Sequence, residues 1–546
     1  MQLSRRNTPR PARTRWRRGL VGLVLAAAAL TLAAASDAAP RNGRGGAIGY
    51  RGGYGYRGPM GRAPGGMYGY GAGRMGPGGW AGRPGFGGQQ HPGGPGGQPG
   101  ASRFTGGAGA GRAVTGRAML GHRAAMHGGP GQFGRGSGRA AASHWRNAPL
   151  PGQRGFTGVP PVNERRFIQN EMVLHIGADV SPETVQSVAT RLGLTQVGYQ
   201  RFDLVGRGLY RFRINDGRSV SDVIRAMEAE KITATAQPNY VFRLQQDLNA
   251  ARRSTATQGY QYILAKWRLP DVHRAATGKN VLVAMIDSEV DQRHPDLAGA
   301  IADRLEPIGQ EFKPQPHGTG MAGAMASHRR LLGVAPGARI LAVNAFGTDG
   351  DSAYGTTEQI LKGIDWAIAK GARVFNMSFA GPRDPLVQLA LKKAYEKGIV
   401  LVAAAGNAGP NSEPLFPAAD PDVIAVTATD VNDALLPEAN RGAHISVAAP
   451  GVDILVPAPN AQYQLTTGTS VAAAEVSGVI ALMLERRPNA DPDSIRRALQ
   501  TTAKDLGPRG RDDDFGWGLV DPYLAMLALD NPALANARPP TPVPQR

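Results

Sequence analysis

Val281-Leu282-Val283-Ala284-Met285-Ile286-Asp287 is an unbroken apolar run closed by a carboxylate. A strand with one wet face alternates apolar and polar residues; a strand covered on both faces reads as a continuous apolar run. Four further runs of this kind follow, at 340–343, 374–377, 399–403 and 423–427. The stretches between them have helical spacing. Residues 263–530 are therefore expected to form an α/β domain, a mostly parallel sheet with helices on both faces. In such sheets functional groups gather beyond the carboxyl ends of the strands, where Asp287 stands.

Three other segments offer chemistry at comparable places. His317 opens His317-Gly318-Thr319-Gly320-Met321-Ala322-Gly323. Ser470 lies in Gly468-Thr469-Ser470-Val471-Ala472-Ala473-Ala474, at the start of an apolar helix. Asn407 lies in Ala404-Ala405-Gly406-Asn407-Ala408-Gly409, directly after an apolar run. Singly, each has an ordinary structural explanation: a strand-end Asp or a helix-start Ser is commonly a cap, and Gly-Asn a turn. Together they supply a nucleophile, a base, a carboxylate to orient the base and an amide donor, which acyl transfer requires.

The chain upstream has other characters. Residues 161–245 alternate strand and helix signals in the order β-α-β-β-α-β, with strands expected at 171–176, 196–204, 208–214 and 232–243. Ser181-Pro182-Glu183 marks the first helix start and a second helix begins near Ser219. That order is ferredoxin-like. Of the 120 residues 41–160, 41 are glycine, with Arg, Tyr, Pro and Met between. Such a segment lacks the apolar residues to offset chain entropy, so 40–160 is expected to be a disordered Gly/Arg-rich leader. Residues 1–39 place seven arginines, Arg5 to Arg18, before an apolar, Ala-rich run from 19 to 35 and then small residues. Basic, apolar, small is the order of a secretory signal; a membrane anchor is the weaker alternative, since the run is at the short end for spanning. Arg17-Arg18 leaves twin-arginine export open. Secretion, or delivery to a periplasm or cell envelope, is expected. Residues 531–546 form a Pro-rich tail.

The formal net charge is +20, from 62 Lys and Arg against 42 Asp and Glu. It is not evenly spread. Residues 1–160 hold 22 arginines and one acid, Asp37, so this arm carries +21 and the remainder −1. The near-neutral body is therefore not expected to bind nucleic acid. The arm has the composition for anionic surfaces or nucleic acid, although a solvated, removable leader is the simpler reading. With no cysteine, disulfides, thiolate nucleophiles and Cys-based metal sites are excluded.

The blocks Ile286-Asp287-Ser288 with His294-Pro295-Asp296-Leu297, His317-Gly318-Thr319, Gly333-Val334-Ala335-Pro336, Asn376-Met377-Ser378, Gly406-Asn407, Val447-Ala448-Ala449-Pro450-Gly451, Gly468-Thr469-Ser470 and Gly516-Trp517-Gly518-Leu519-Val520 make 263–522 resemble the subtilases, the subtilisin-like serine peptidases. The resemblance implies a triad of Asp287, His317 and Ser470, with an oxyanion hole from Asn407 and the Ser470 backbone. It implies a substrate pocket walled by Ser378, Phe379 and Ala380 on one side and Ala404, Ala405 and Gly406 on the other. A strand near 350–355 would pair with substrate backbone. No acid stands in these walls, which points to an apolar or broad preference for protein or peptide substrates. Residues 161–245, ending Ala236-Gln237-Pro238-Asn239-Tyr240-Val241-Phe242, resemble a subtilase propeptide, an intramolecular inhibitor removed by autocleavage within a 246–262 linker, between about Gln245 and Gln258. A permanently attached accessory domain and a catalytically silent subtilase fold are the alternatives.

The sequence departs from the family pattern at Glu289, usually Gly; at Gly320, often His; at Ala380, often Gly; and at Ala474-Glu475, often Pro-His. No cofactor is expected. Many relatives bind Ca²⁺ through an Asp matching Asp296 and the loop after the His helix. Here that loop, Ser327-His328-Arg329-Arg330-Leu331-Leu332, is short and basic and does not support calcium.

Overall fold

The computed structural model describes residues 149–205, 207–245, 261–307, 309, 313–349 and 352–531. The expected signal, nearly all of the leader, the 246–260 linker and the tail beyond 531 lie outside the described residues.

The small domain consists of β1 (Phe167–Ile176), α1 (Pro182–Arg191), β2 (Leu194–Phe202), β3 (Arg207–Ile214), α2 (Val220–Ala229) and β4 (Ala234–Leu244). Its strands lie in the order β2-β3-β1-β4, all neighbours antiparallel, which is the ferredoxin-like arrangement expected. Both helix starts are set by sequence: Ser181 accepts from Thr184 N with Pro182 following, and Ser219 accepts from Asp222 N. The second strand ends two residues before the expected Leu204. There the chain turns into a short 3₁₀ segment (Asp203–Val205), whose Asp203 and Leu204 N–H groups donate to Asp365 of the larger domain at 3.3 and 2.7 Å. Residues 149–160, expected to belong to the leader, are among the described residues. In this stretch Gly158 N donates to Glu228 Oε1 over 2.8 Å.

The larger domain opens with two short helices, α3 (Tyr262–Lys266) and α4 (Leu269–Ala275). There follow β5 (Leu282–Asp287), β6 (Ile301–Leu305), α5 (Pro316–Ala326), β7 (Arg339–Asn344), β8 (Gly347–Asp349), β9 (Ser352–Thr356), α6 (Thr357–Ala369), β10 (Val374–Met377), β11 (Phe379–Ala380), α7 (Pro385–Glu396), β12 (Val400–Ala404), β13 (Val423–Thr429), β14 (Ile445–Pro450), the hairpin β15 (Ile454–Ala458) and β16 (Gln462–Thr466), α8 (Thr469–Arg486), α9 (Pro492–Thr502) and α10 (Pro522–Asp530). Seven strands form a parallel sheet in the order β14-β13-β12-β10-β5-β7-β6. All five runs read as buried strands lie in it. One face is covered by α5 and α8, whose residues from His317 to Ala326 and from Thr469 to Leu484 are buried. The core on the other face includes α6 and α7 and is continuous with that of the small domain.

The two domains share strand pairing. β4 lies between β9 and β11, antiparallel to both: Phe242 is opposite Gly355, Arg243 opposite Tyr354 and Ala380, and Leu244 opposite Phe379. Polar contacts continue the junction onto the starts of α6 and α7. Arg211 Nε meets Glu358 Oε2 at 2.6 Å, Gln237 Nε2 donates to buried Asp384 Oδ1 at 2.7 Å, and Tyr240 N donates to Thr357 Oγ1 at 2.9 Å.

Candidate active site

Parallel pairing fixes the carboxyl end of β5, and with it Asp287, which is fully buried. Its Oδ1 accepts from Ser288 N at 2.7 Å, from Ser288 Oγ at 3.2 Å and lies 2.7 Å from His317 Nδ1. His317 is the second residue of α5. The helix can start this close to β5 because residue 318 is glycine: a Cβ there would lie 2.2 Å from the Ser288 carbonyl oxygen. Gly318 N instead donates to Ser288 Oγ at 3.1 Å, which locks the helix start to the strand end. His317 Nε2 has no hydrogen-bond partner among the described residues.

Ser470 is the second residue of α8, so its N–H has no intrahelical acceptor. Its hydroxyl is not paired with His317. It donates to the Gln245 carbonyl oxygen, with the Ser378 carbonyl oxygen 3.3 Å away as the other acceptor. The same Gln245 oxygen accepts from Asn407 Nδ2 at 2.9 Å. Asn407 is held so that this end of its amide faces the oxygen: its Oδ1 accepts from Thr469 N at 3.1 Å and Thr469 Oγ1 at 2.9 Å. Thr469 Oγ1 also accepts from Gly406 N at 3.1 Å. The sequence reading passed over Thr469, although it sits in the quoted Gly-Thr-Ser block. It also named Gln245 only as the edge of a cleavage window.

The residues expected as pocket walls lie near the Gln245 end of β4. Gln245 N donates to Ser378 O at 3.2 Å, and Ser378 Oγ donates to Ser470 O at 3.1 Å. Phe379 and Ala380 form β11 and flank Leu244 and Arg243. Ala404 and Ala405 are fully buried at the end of β12, and Gly406 leads into Asn407. The strand expected near 350–355 is β9, and β4 occupies its pairing edge. Phe242 and Gln245, three residues apart, make separate side-chain contacts. The Phe242 ring is edge-on to Phe379 at 5.7 Å, and Phe379 lies 5.1 Å from Phe346. The Gln245 side chain accepts from Asn407 N at 2.9 Å. Phe346 carried no sequence signal, because a lone aromatic after a strand reads as core.

Two departures from the family pattern are buried acids. Glu289 is pushed up to about 7, first by burial, then by sharing a hydrogen bond and charge with Glu306; Arg304 works against both. Glu475, just over one turn beyond Ser470 on α8, is almost wholly buried, and burial drives its carboxyl well above the ordinary carboxylate range.

The calcium site implied by the fold does not fit these residues. Asp296, fully buried, already accepts from Arg330 N at 2.6 Å on Oδ1 and from Leu331 N at 3.1 Å on Oδ2. His328 N donates to the Asp296 carbonyl at 3.3 Å. The Arg330 guanidinium lies over the Tyr463 ring at 4.9 Å. The loop thus presents N–H donors to the carboxylate, where a hard cation needs a shell of oxygens. Among the described residues no cluster of three or more His, Cys, Asp or Glu could hold a metal.

A model of the subtilase family matches residues 278–518. A thermophilic serine proteinase of Bacillus sp. (strain AK1) is 32% identical over 376 residues, covering 66% of this chain and 88% of that one. Subtilisin E of Bacillus subtilis is 35% identical over 280 residues, covering 49% of this chain and 71% of its own. Fervidolysin of Fervidobacterium pennivorans is 36% identical over 281 residues, and the match spans 45% of this chain and 40% of that one. The crystal structure of fervidolysin, described as a keratinolytic enzyme related to subtilisin, superposes with a TM-score of 0.57 at 26% identity. The superposition covers 69% of this chain and 64% of that one.

Proposed function

Since this chain belongs to the subtilase family and is a serine endopeptidase, we propose that Ser470, His317 and Asp287 are its catalytic triad, that Asn407 and the Ser470 N–H form its oxyanion hole, and that it is made as an exported, self-processing zymogen. In this mechanism Ser470 Oγ attacks the scissile carbonyl carbon while its proton passes to His317 Nε2. Asp287, accepting from Nδ1–H, fixes the tautomer that leaves Nε2 free to take it, and stabilises the imidazolium. The carbonyl oxygen becomes an oxyanion facing Asn407 Nδ2 and the Ser470 N–H at the positive end of α8. The C–N bond then breaks as His317 returns the proton to the leaving amine. Water, deprotonated by the same imidazole, hydrolyses the Ser470 ester and releases the acid.

The observation that carries this reading is the position of the Gln245 carbonyl, held by Asn407 Nδ2 and the Ser470 hydroxyl together. Backbone pairing with β9 and β11 runs through residues 241–244, and Gln245 N bonds Ser378 O. A polypeptide strand added at an enzyme's edge in this way is a bound substrate in geometry. The scissile bond of the zymogen is therefore assigned to Gln245–Gln246, at the N-terminal limit of the window expected from sequence. The small domain is assigned as its inhibitor. By the same register the fourth residue before the cut, Phe242, enters the Phe346–Phe379 pocket, so aromatic residues are preferred there.

Incubation of the purified protein with a fluorophosphonate probe, followed by peptide mapping, tests the assignment. Labelling at Ser470, abolished in His317→Ala, is expected. A folded protein that neither cuts itself after Gln245 nor is labelled once the small domain has been removed would be the silent member of the family instead.

A further inference from the structure

We infer that Asn440 is a positioning residue for the oxyanion hole, acting on the loop that carries Asn407; this rests on the reading of Asn407 as an oxyanion donor. Asn440 is fully buried and lies between β13 and β14, 33 residues after Asn407 by numbering. It grips both neighbours of Asn407. Its backbone N–H donates to the Gly406 carbonyl at 2.9 Å, and its Oδ1 accepts from Ala408 N at 2.8 Å. Its Nδ2 donates to Ser412 Oγ at 3.3 Å, which leaves Oδ1 facing the loop. Two residues earlier in the same segment, the Glu438 carbonyl accepts from Gly409 N at 2.9 Å.

The contact is close enough to select the residue it touches. Gly406 has φ of 112°, and a Cβ at that position would lie 2.6 Å from Asn440 Nδ2. The loop therefore adopts a conformation that favours glycine and brings it against the Asn440 amide. Thr469 fixes the far end of the Asn407 side chain. Asn440 fixes the backbone from which that side chain projects. Hydrogen-bond donors aimed at a developing charge lose their effect over small displacements. Loss of the Asn440 side chain leaves its backbone bond to Gly406 but frees Ala408 N, and is therefore expected to cost transition-state stabilisation with little change in ground-state binding. Asn440 touches neither the Gln245 carbonyl nor Ser470 in the described contacts, so its action passes through Asn407.

The test is a double-mutant cycle on the processed enzyme, expressed as the full chain, read as kcat and KM on a peptide amide. Asn440→Ala is expected to lower kcat roughly tenfold, the scale of one lost buried hydrogen bond, with KM within about twofold. Combined with Asn407→Ala it should produce no fall beyond that of Asn407→Ala alone. A folded Asn440→Ala with unchanged kcat, or losses that multiply in the double variant, overturns the inference. Thermal unfolding checks the fold. If Asn440→Ala does not fold, Ser412→Ala, which frees the Asn440 amide from a half-buried position, decides by the same cycle. A loss that does not multiply supports the inference; no loss, or a multiplying one, defeats it. Wild-type turnover by Asn407→Ala would instead remove the oxyanion premise, and this inference with it.

Discussion

The side-chain amide of Asn407 donates to the backbone oxygen of Gln245 over 2.9 Å, joining residues 162 apart in sequence. Asn407→Ala should therefore fold and bind peptide with KM little changed. Its kcat should fall by about 10²–10³, the usual loss for one oxyanion donor. Steady-state kinetics on a chromogenic peptide amide measures it; an undiminished kcat would disconnect Asn407 from the chemistry.

Gln245→Pro removes the N–H that donates to Ser378 O at 3.2 Å and constrains φ at the residue that must lie flat in the cleft. Full-length precursor should accumulate, with processing slowed by roughly tenfold or more. Mass spectrometry of the wild-type product should give Gln246 as its first residue. A different terminus arising directly, without a 246 intermediate, refutes the assigned bond.

Phe242→Ala removes the ring that lies edge-on to Phe379, which in turn packs on Phe346. Removal of a buried phenyl ring at a packed junction costs roughly 2–4 kcal/mol, which is about 30- to 1,000-fold in an inhibition constant. Inhibition of mature enzyme by the separately added 149–245 fragment should weaken by that factor. A peptide library should show enrichment of Phe or Tyr at the matching position.

Calcium should not govern stability through Asp296, because backbone N–H groups already occupy its carboxylate. Chelator should shift the unfolding temperature by less than about 1 °C, whereas Asp296→Ala should lower it by about 5 °C or more through the orphaned Arg330 and Leu331 N–H groups. A large chelator effect that Asp296→Ala abolishes would mean that the loop opens to take up the ion.

The acid pair near the site predicts a pH effect of definite sign. Glu289 binds a proton more tightly in the folded protein, where it is pushed up to about 7, than in the unfolded chain with its value of 4.5. Between those values the folded state holds more protons, so stability falls as pH rises through this window. Glu289→Gln should remove this part of the decline, about 1–2 kcal/mol after allowance for solvent and Arg304. Chemical denaturation at about pH 4.5, 6 and 8 reads it directly. A decline just as steep in the variant would place its origin elsewhere.

The sequence was most informative where burial is complete. Each of the five apolar runs became a strand of the parallel sheet, since only a strand covered on both faces tolerates such a run. It said least about strands made by partnership. β6 lies at the sheet edge and is partly exposed, so its pattern is weak. β8 and β9 are short; they pair with each other, and β9 finds its other partner in β4. Ser181 and Ser219 announced their helices because capping is local chemistry. Thr469 was visible but unassigned, because its value depends on meeting Asn407, 62 residues away. Asn440 gave no signal, since a polar residue in a loop looks the same whether it faces water or supports another loop.

The pairing of β4 on both edges has a consequence for timing. Hydrolysis of one peptide bond after residue 245 breaks none of the hydrogen bonds that hold β4 to β9 and β11, nor the Arg211–Glu358 contact. What it removes is the covalent leash, so an equilibrium that was independent of concentration becomes one that depends on it. On the processing proposed above, the severed piece would stay seated at high concentration and depart on dilution. Activity would then appear where the molecules are far apart, long after the cut itself.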